Sequence, residues 1–352
     1  MTDSRLTREM TVSAPDRCRL QRSNDRGIST VVDVSLCLLL ITASIAVLAV
    51  FLADERAVHD PTIADETAQT IATSTTTIEY SVRSVERRDD TGVFDDAAYD
   101  DGRYDRVEHG SLAQLLAAAA LSNVSLDGEP LSHAGLEFRD AVDANVRSEL
   151  AGANDDVHLL ARWEPYPSAS IRGESTAGDR PPASADVSTV TFSVSSGFPS
   201  VSDDDLEGTY DAENGSFERT AEPIADAILD GYFPHESTTV ALQGSDLERD
   251  LTRYEYLRFE SILDLDRDLE HNELNRTAVD IAGANEKLAA NLTETIAADL
   301  EETFEPEIAE IESELEAEYP ADEEPVTSAV DDLVRSSVAT DEVLITVRVW
   351  DE

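Results

Sequence analysis

Lysine is almost absent from this chain. Lys287 is the single lysine among 26 basic residues, against 75 Asp and Glu, so 352 residues carry a formal net charge of −49. A chain this poor in cations cannot grip a phosphate backbone, which is held by clusters of Lys and Arg, and nucleic acid is excluded as a partner. Cysteine is nearly as scarce. Cys18 and Cys37 stand alone, which excludes a disulfide-stapled scaffold and any zinc centre built on thiolates. The short signatures of chemistry are missing too: no G-x-G-x-x-G, Walker A, G-x-S-x-G or H-E-x-x-H occurs. The six histidines, at 59, 109, 133, 158, 235 and 271, are scattered, with no i, i+4 pair. Asp264, Asp266 and Asp268 open like a calcium loop, but Leu269 stands where the loop needs glycine and Asn275 where it needs glutamate. Asp95, Asp96, Asp100, Asp101 and Asp105 cluster no more than so acidic a composition dictates. The expectation is a non-enzymatic protein with no cofactor, no metal site and no small-molecule substrate.

What is present begins with the acidity itself. The carboxylates interleave with regular apolar positions along the chain rather than forming a tail, and 41% of residues are hydrophobic, enough for a core. That combination points to a halophilic protein. At about 1 M salt the Debye length is roughly 3 Å, and self-repulsion of this size is largely screened.

Long apolar runs are limited to one. Val34 to Ala53 is 20 residues without a charge, which at about 1.5 Å per residue spans the hydrocarbon thickness of a bilayer. Residues 1–26 carry six arginines against four acids, +2, while the other 326 residues hold 20 basic and 71 acidic residues, −51. The positive flank precedes the run and Asp54 and Glu55 follow it, so the positive-inside rule places the N-terminus in the cytoplasm and the C-terminal domain outside the cell. The expected topology is a single pass in the cell membrane. A cleaved secretory signal fits less well, because the run is too long and Ala53-Asp54-Glu55-Arg56-Ala57 is a poor cleavage site. A lipoprotein reading fails because Leu36 precedes Cys37.

Arg26-Gly27-Ile28-Ser29 stands directly before the apolar run. A basic residue, a glycine and an apolar residue ahead of a hydrophobic helix resemble the class III signal of archaeal prepilins and archaellins. That resemblance implies cleavage after Gly27, a mature chain starting at Ile28, and a helix retained on the product; an ordinary uncleaved anchor is the other reading of the same residues. Asp33 is the lone charge in 28–52. It falls one residue off the pilin position where a carboxylate neutralises a neighbouring amine, and a place at the headgroup boundary explains it as well. The segment RGISTVVDVSLCLLLITASIAV, and more loosely the WEPYP stretch with its Pro-rich sequel from Arg162 to Pro182, is similar to haloarchaeal single-pass proteins with pilin-like N-termini, encoded among type IV pilus or secretion components. The resemblance implies the membrane and pilus or secretion subunits as partners. Major pilins are shorter, so it implies a minor or accessory subunit.

The rest of the chain reads as an α+β ectodomain with a helical insertion, able to form a coiled coil, on the single N-terminal transmembrane helix. The expected segments are a leader at 1–27, the membrane helix at 28–53, a first α+β part at 54–173, a Pro/Gly/Ser linker at 174–186, a β-rich segment with a short helix at 187–244, an acidic helical region at 245–320 and a closing helix–strand unit at 321–352. Strand alternation marks 75–85, 157–163, 187–195 and 343–349. Residues 89–110 read as an acidic loop. Helical spacing runs from Leu288 through Leu292, Ile296, Leu300 and Phe304 to Leu315, with Pro306 expected to break it. Between Asp299 and Glu324, 13 of 26 residues are acidic and none is basic, one strongly anionic face. AVDANVRSEL at 141–150 matches AVDDLVRSSV at 329–338 in six of ten positions, each followed by an acidic pair and a strand with an arginine, Arg162 and Arg348. The match predicts that one helix–turn–strand unit occurs twice, flanking the linker and the helical region. Four sequons, at Asn123, Asn214, Asn275 and Asn291, are glycosylation candidates on the outer side.

Overall fold

The structure, a computed structural model, describes residues 62–95, 99–150, 156–244, 246–265, 269–274, 279–318 and 324–350. Residues 57–352 make one compact unit. The apolar run 34–53 and the Arg26-Gly27-Ile28 signal lie outside the described residues. Among the described residues no helix is long and apolar enough to cross a membrane.

In chain order the elements are α1 (Thr62–Thr73), β1 (Thr75–Ser81), α2 (Ser84–Arg88), β2 (Asp105–Ser111), α3 (Leu112–Leu121), β3 (Ser125–Leu126), β4 (Glu129–Pro130), α4 (Leu136–Leu150), β5 (Asp156–Trp163), β6 (Ile171–Gly178), β7 (Val187–Ser195), α5 (Asp203–Leu206), α6 (Glu218–Tyr232), α7 (His235–Gln243), α8 (Leu247–Ile262), α9 (Leu269–Asn272), α10 (Ile281–Glu318), α11 (Glu324–Arg335) and β8 (Glu342–Trp350). The fold is mixed α+β with antiparallel sheets. β1 and β2 form a two-stranded antiparallel sheet of their own, and the main sheet has the order β4-β3-β6-β5-β8-β7. Its last two members, β7 and β8, are neighbours in space although α5 to α11 intervene in sequence.

Strand period decides which face is covered. Val157, Leu159, Ala161 and Trp163 of β5 and Val343, Ile345, Val347 and Val349 of β8 are buried on one face, beneath α1 and α3. The alternate positions, Arg162, Arg172, Glu174 and Leu344, are exposed on the other. α3 opens with a capping box: Ser111 accepts from the Gln114 N–H, and the Gln114 side chain accepts from the Ser111 N–H. Its run of alanine and leucine lets it lie close to the sheet; a Cβ on Gly173 of β6 would come within 2.4 Å of the Ala120 carbonyl.

Three expectations need correction. The stretch 174–186 is not wholly linker, because Glu174–Gly178 completes β6. Its small residues, which gave it a linker's composition, are what α3 requires of the strand beneath it: Ser175 and Ala177 are buried. Within 89–110, expected as a loop, Asp105–Ser111 is a strand. Both faces of this edge ribbon are largely wet, with Val107 exposed, so hydrophobic alternation was absent. Finally, Pro306 lies inside α10 and does not end it. Pro306 and Glu302, whose carbonyl it leaves without a helical donor, are both exposed, so that carbonyl is open to solvent, and Leu300 and Phe304 bury the turn before it.

α10 packs antiparallel along α6. Phe217 at the start of α6 meets Phe304 with ring centroids 6.3 Å apart, and Asn285 donates to the Phe233 carbonyl at its end (3.3 Å). The apolar stripe Leu288, Leu292, Ile296 and Leu300 is spent inside the molecule. The WEPYP stretch is where the sheet meets this helical layer. Asp299 on α10 accepts from the Tyr166 hydroxyl (2.8 Å), the Ser170 N–H (2.7 Å) and the Ser170 hydroxyl (2.7 Å). Trp163 donates through Nε1 to the Thr340 carbonyl (2.8 Å).

The repeated unit has a structural counterpart. α4–β5 and α11–β8 are the two copies, and β5 and β8 pair antiparallel in the middle of the sheet. Leu160 pairs with Thr346, and these are equivalent positions of the repeat, 186 residues apart. The two strands are thus related by a local two-fold through their centres.

Candidate functional site

A groove of about 790 Å³ lies between α10 and the turn before α6. Local chemistry builds its walls. Asp331 of α11, buried, accepts from the Gly208 N–H (2.6 Å) and the Tyr210 N–H (3.1 Å), which ties the approach to the turn. Asp211 and Ser216 then pair across it, and the Asp211 carboxylate accepts from the Asn214 side chain (2.9 Å) and from the N–H groups of Glu213 and Asn214. The Asn214 bonds hold the Asp211 carboxyl below its ordinary range. Gly215 closes the turn at φ +66°, a left-handed conformation that favours glycine.

Tyr210 and Phe217, 4.8 Å apart at their ring centroids, face Ile308 and Ala309 across the groove, and Glu301, Glu302, Glu305 and Glu312 form its rim. No basic residue lines it. Burial, then the carboxylates of Glu312 and Glu301, push the Tyr210 hydroxyl above its usual pKa. An apolar floor under four carboxylates suits a cationic, partly apolar surface. It offers no nucleophile beside a base.

The residues singled out by sequence are dispersed. Arg26, Gly27, Ile28 and Asn275 lie outside the described residues. Asn214 is exposed at the groove turn. Asn123 is half-buried, its Nδ2 donating to the Ala119 (2.7 Å) and Gly135 (3.4 Å) carbonyls. Asn291 sits within α10, with Nδ2 on the Lys287 carbonyl (3.0 Å) and its sequon partner Thr293 buried. An acceptor asparagine needs a free amide on an exposed loop, and of these three Asn214 comes nearest. Among the described residues no group of three or more His, Cys, Asp or Glu could hold a metal ion.

Sequence reasoning placed the anionic face on α10 but missed the groove. Its second wall, Tyr210 to Phe217, is 80 to 100 residues away and carries no periodic signal. Asp299 and Asp331, which organise the loops packed on α10 and α11, looked like two more acids among many.

Comparison with known proteins adds one fact. The profile of a family of unknown function, DUF7284, matches residues 32–350. The chain belongs to that family. The DUF7284 match takes in all of the 34–53 run together with the whole described fold. No curated protein and no solved structure matches the chain.

Proposed function

We propose that this DUF7284 protein is a non-enzymatic, extracytoplasmic structural or assembly component of an archaeal type IV pilus-like surface or secretion structure. In this reading Val34–Ala53 is a single transmembrane helix, the leader is cytoplasmic, and the compact unit stands outside the cell in molar salt. Its partners are the membrane and pilus or secretion subunits. The observation that carries the reading is the Arg26-Gly27-Ile28 signal directly before the single long apolar run, with the net-positive leader on one side and the acidic remainder on the other. The far end of α10, where Ile308, Ile311 and Leu315 are half-buried between exposed glutamates, is the element that could extend as a coiled-coil arm towards a neighbour.

A second reading keeps the anchor uncleaved and makes the protein a membrane-anchored binding module on the cell surface. The acidic groove favours it, since a lined groove is more than a structural subunit requires.

Mass mapping of N-terminal peptides from native membranes separates the two. A mature chain starting at Ile28 is the expected result, and Gly27→Val should block it because a β-branched residue replaces the small one at the cut. A chain retained from Met1 removes the pilus reading and leaves the anchored module.

A further inference from the structure

We propose that the junction of β3, β6 and the start of α4 binds a small oxyanion ligand, a molecule bearing one carboxylate or sulfate and no larger than a monosaccharide. The reversal of charge sign points there. A cavity of about 270 Å³ is lined by Arg139, Arg162 and Arg172, with Glu174 as its single carboxylate. Three guanidiniums against one carboxylate is +2, in a chain of −49.

The sheet register brings the cations together. Arg162 on β5 lies opposite Glu174 on β6, and Arg172 is two residues along the same face, so the two arginines are diagonal neighbours about 7–8 Å apart. Arg139 comes from the first turns of α4. Their existing bonds are weak enough to exchange. Arg162 meets Glu174 at 3.4 Å and Glu164 at 3.9 Å, and Arg139 meets only its neighbour Asp140 at 3.2 Å. Arg162, Glu174 and Asp140 are exposed and Arg139 and Glu164 half-buried, and pairs open to solvent in this way contribute little to stability. Arg172 has no ion pair among the described residues, although the chain holds nearly three acids for every base.

The frame is stiff. Asp127 and Gly128, at φ 52° and 86°, make a two-residue β3–β4 turn with both central residues left-handed, the geometry that matches strand twist. Gly173 has no room for a Cβ against α3, and the Asn123 amide ties the base of the hairpin to Ala119 and Gly135. A planar guanidinium fork matches a carboxylate or sulfate edge through two parallel N–H···O bonds. Such short directional contacts persist in molar salt, where long-range attraction is screened.

The test uses the full chain in detergent and molar sodium chloride, so that chloride already saturates non-specific binding. Trp163 and Trp350 report melting while sodium sulfate or sodium glucuronate replaces chloride at constant sodium. A saturable rise in Tm at millimolar probe is expected. Arg172→Gln should weaken it about tenfold, the ~1.4 kcal/mol of one charge-assisted contact. Arg172→Lys keeps the charge and loses the fork, and should weaken glucuronate as well. Arg348→Gln, on the same sheet outside the cavity, should leave the titration unchanged. Sulfate binding alone identifies a free-anion site, and tighter glucuronate binding a sugar acid. A rise that is linear in probe and equal in wild type, Arg172→Gln and Arg172→Lys is general salt stabilisation and overturns the proposal.

Discussion

Single carboxylates decide local order in this molecule. Asp299 gathers three donors from one loop, and removing it strands the Tyr166 hydroxyl and the Ser170 N–H at a half-buried seam. Asp299→Ala should cost about 2–4 kcal/mol, and Asp299→Asn less, read by denaturant unfolding in molar salt. Burial and the Asp299 carboxylate both push the Tyr166 hydroxyl well above its usual pKa, so the tyrosine remains a donor throughout the working range. Burial acts on Glu255 of α8 as well. Desolvation raises its pKa to about 7, opposed by a hydrogen bond from Ser132. A carboxyl whose folded pKa is raised stabilises the fold while protonated. That contribution is present below its unfolded pKa near 4.5 and is lost as pH climbs through about 7. Glu255→Gln should therefore flatten the pH dependence between about 4.5 and 7 and exceed wild-type stability at pH 8 by about 1–3 kcal/mol; equal pH profiles for the two proteins would show that folding does not raise the Glu255 pKa.

At the scale of elements, α10 is two helices in one. Its first part is buried against α6, while beyond Phe304 it is bordered by glutamates and holds only half-buried apolar residues. No basic residue lies between 299 and 324, so nothing offsets like-charge repulsion within the exposed part as salt is withdrawn. Amide exchange should show 305–318 opening first in dilute salt, ahead of 281–304. Pro306→Ala restores a backbone donor and should slow exchange in that part alone, by an amount approaching the ~3 kcal/mol proline penalty. If 281–304 exchanges first instead, the burial against α6 does not govern the stability of α10.

For the whole molecule, repulsion competes with a core. Residues 54–352 carry 20 basic and 70 acidic residues, or −50. In about 0.1 M salt the Debye length is roughly 10 Å, so neighbouring carboxylates repel across the surface. Against a net stability of about 5–15 kcal/mol, a few tenths of a kcal/mol per unscreened acid is enough to unfold the chain. Circular dichroism melting should show a Tm that climbs steeply with molar NaCl or KCl and a loss of cooperativity in dilute buffer. A flat Tm across the series would remove the halophilic reading and the setting on which the proposed function leans.

Local pattern was enough to locate β5, β7 and β8 within a residue, α3 with its serine cap, and the helix–strand repeat, because burial on one face imposes period 2 or 3.6 wherever an element lies on the core. It was not enough for β2, whose wet faces leave no period, or for β6, whose small residues answer a helix 50 residues earlier. Which acids matter was equally illegible. Asp299 and Asp331 differ from their many neighbours only in the donors that distant loops bring to them. Nor does any local signal announce that Arg162 and Arg172 share a face with a gap beside it. Composition alone determines the charge and the single apolar run, because these are sums and lengths. The groove, the arginine cavity and the two-fold pairing of β5 with β8 are relations between remote segments, and only the packed chain decides them.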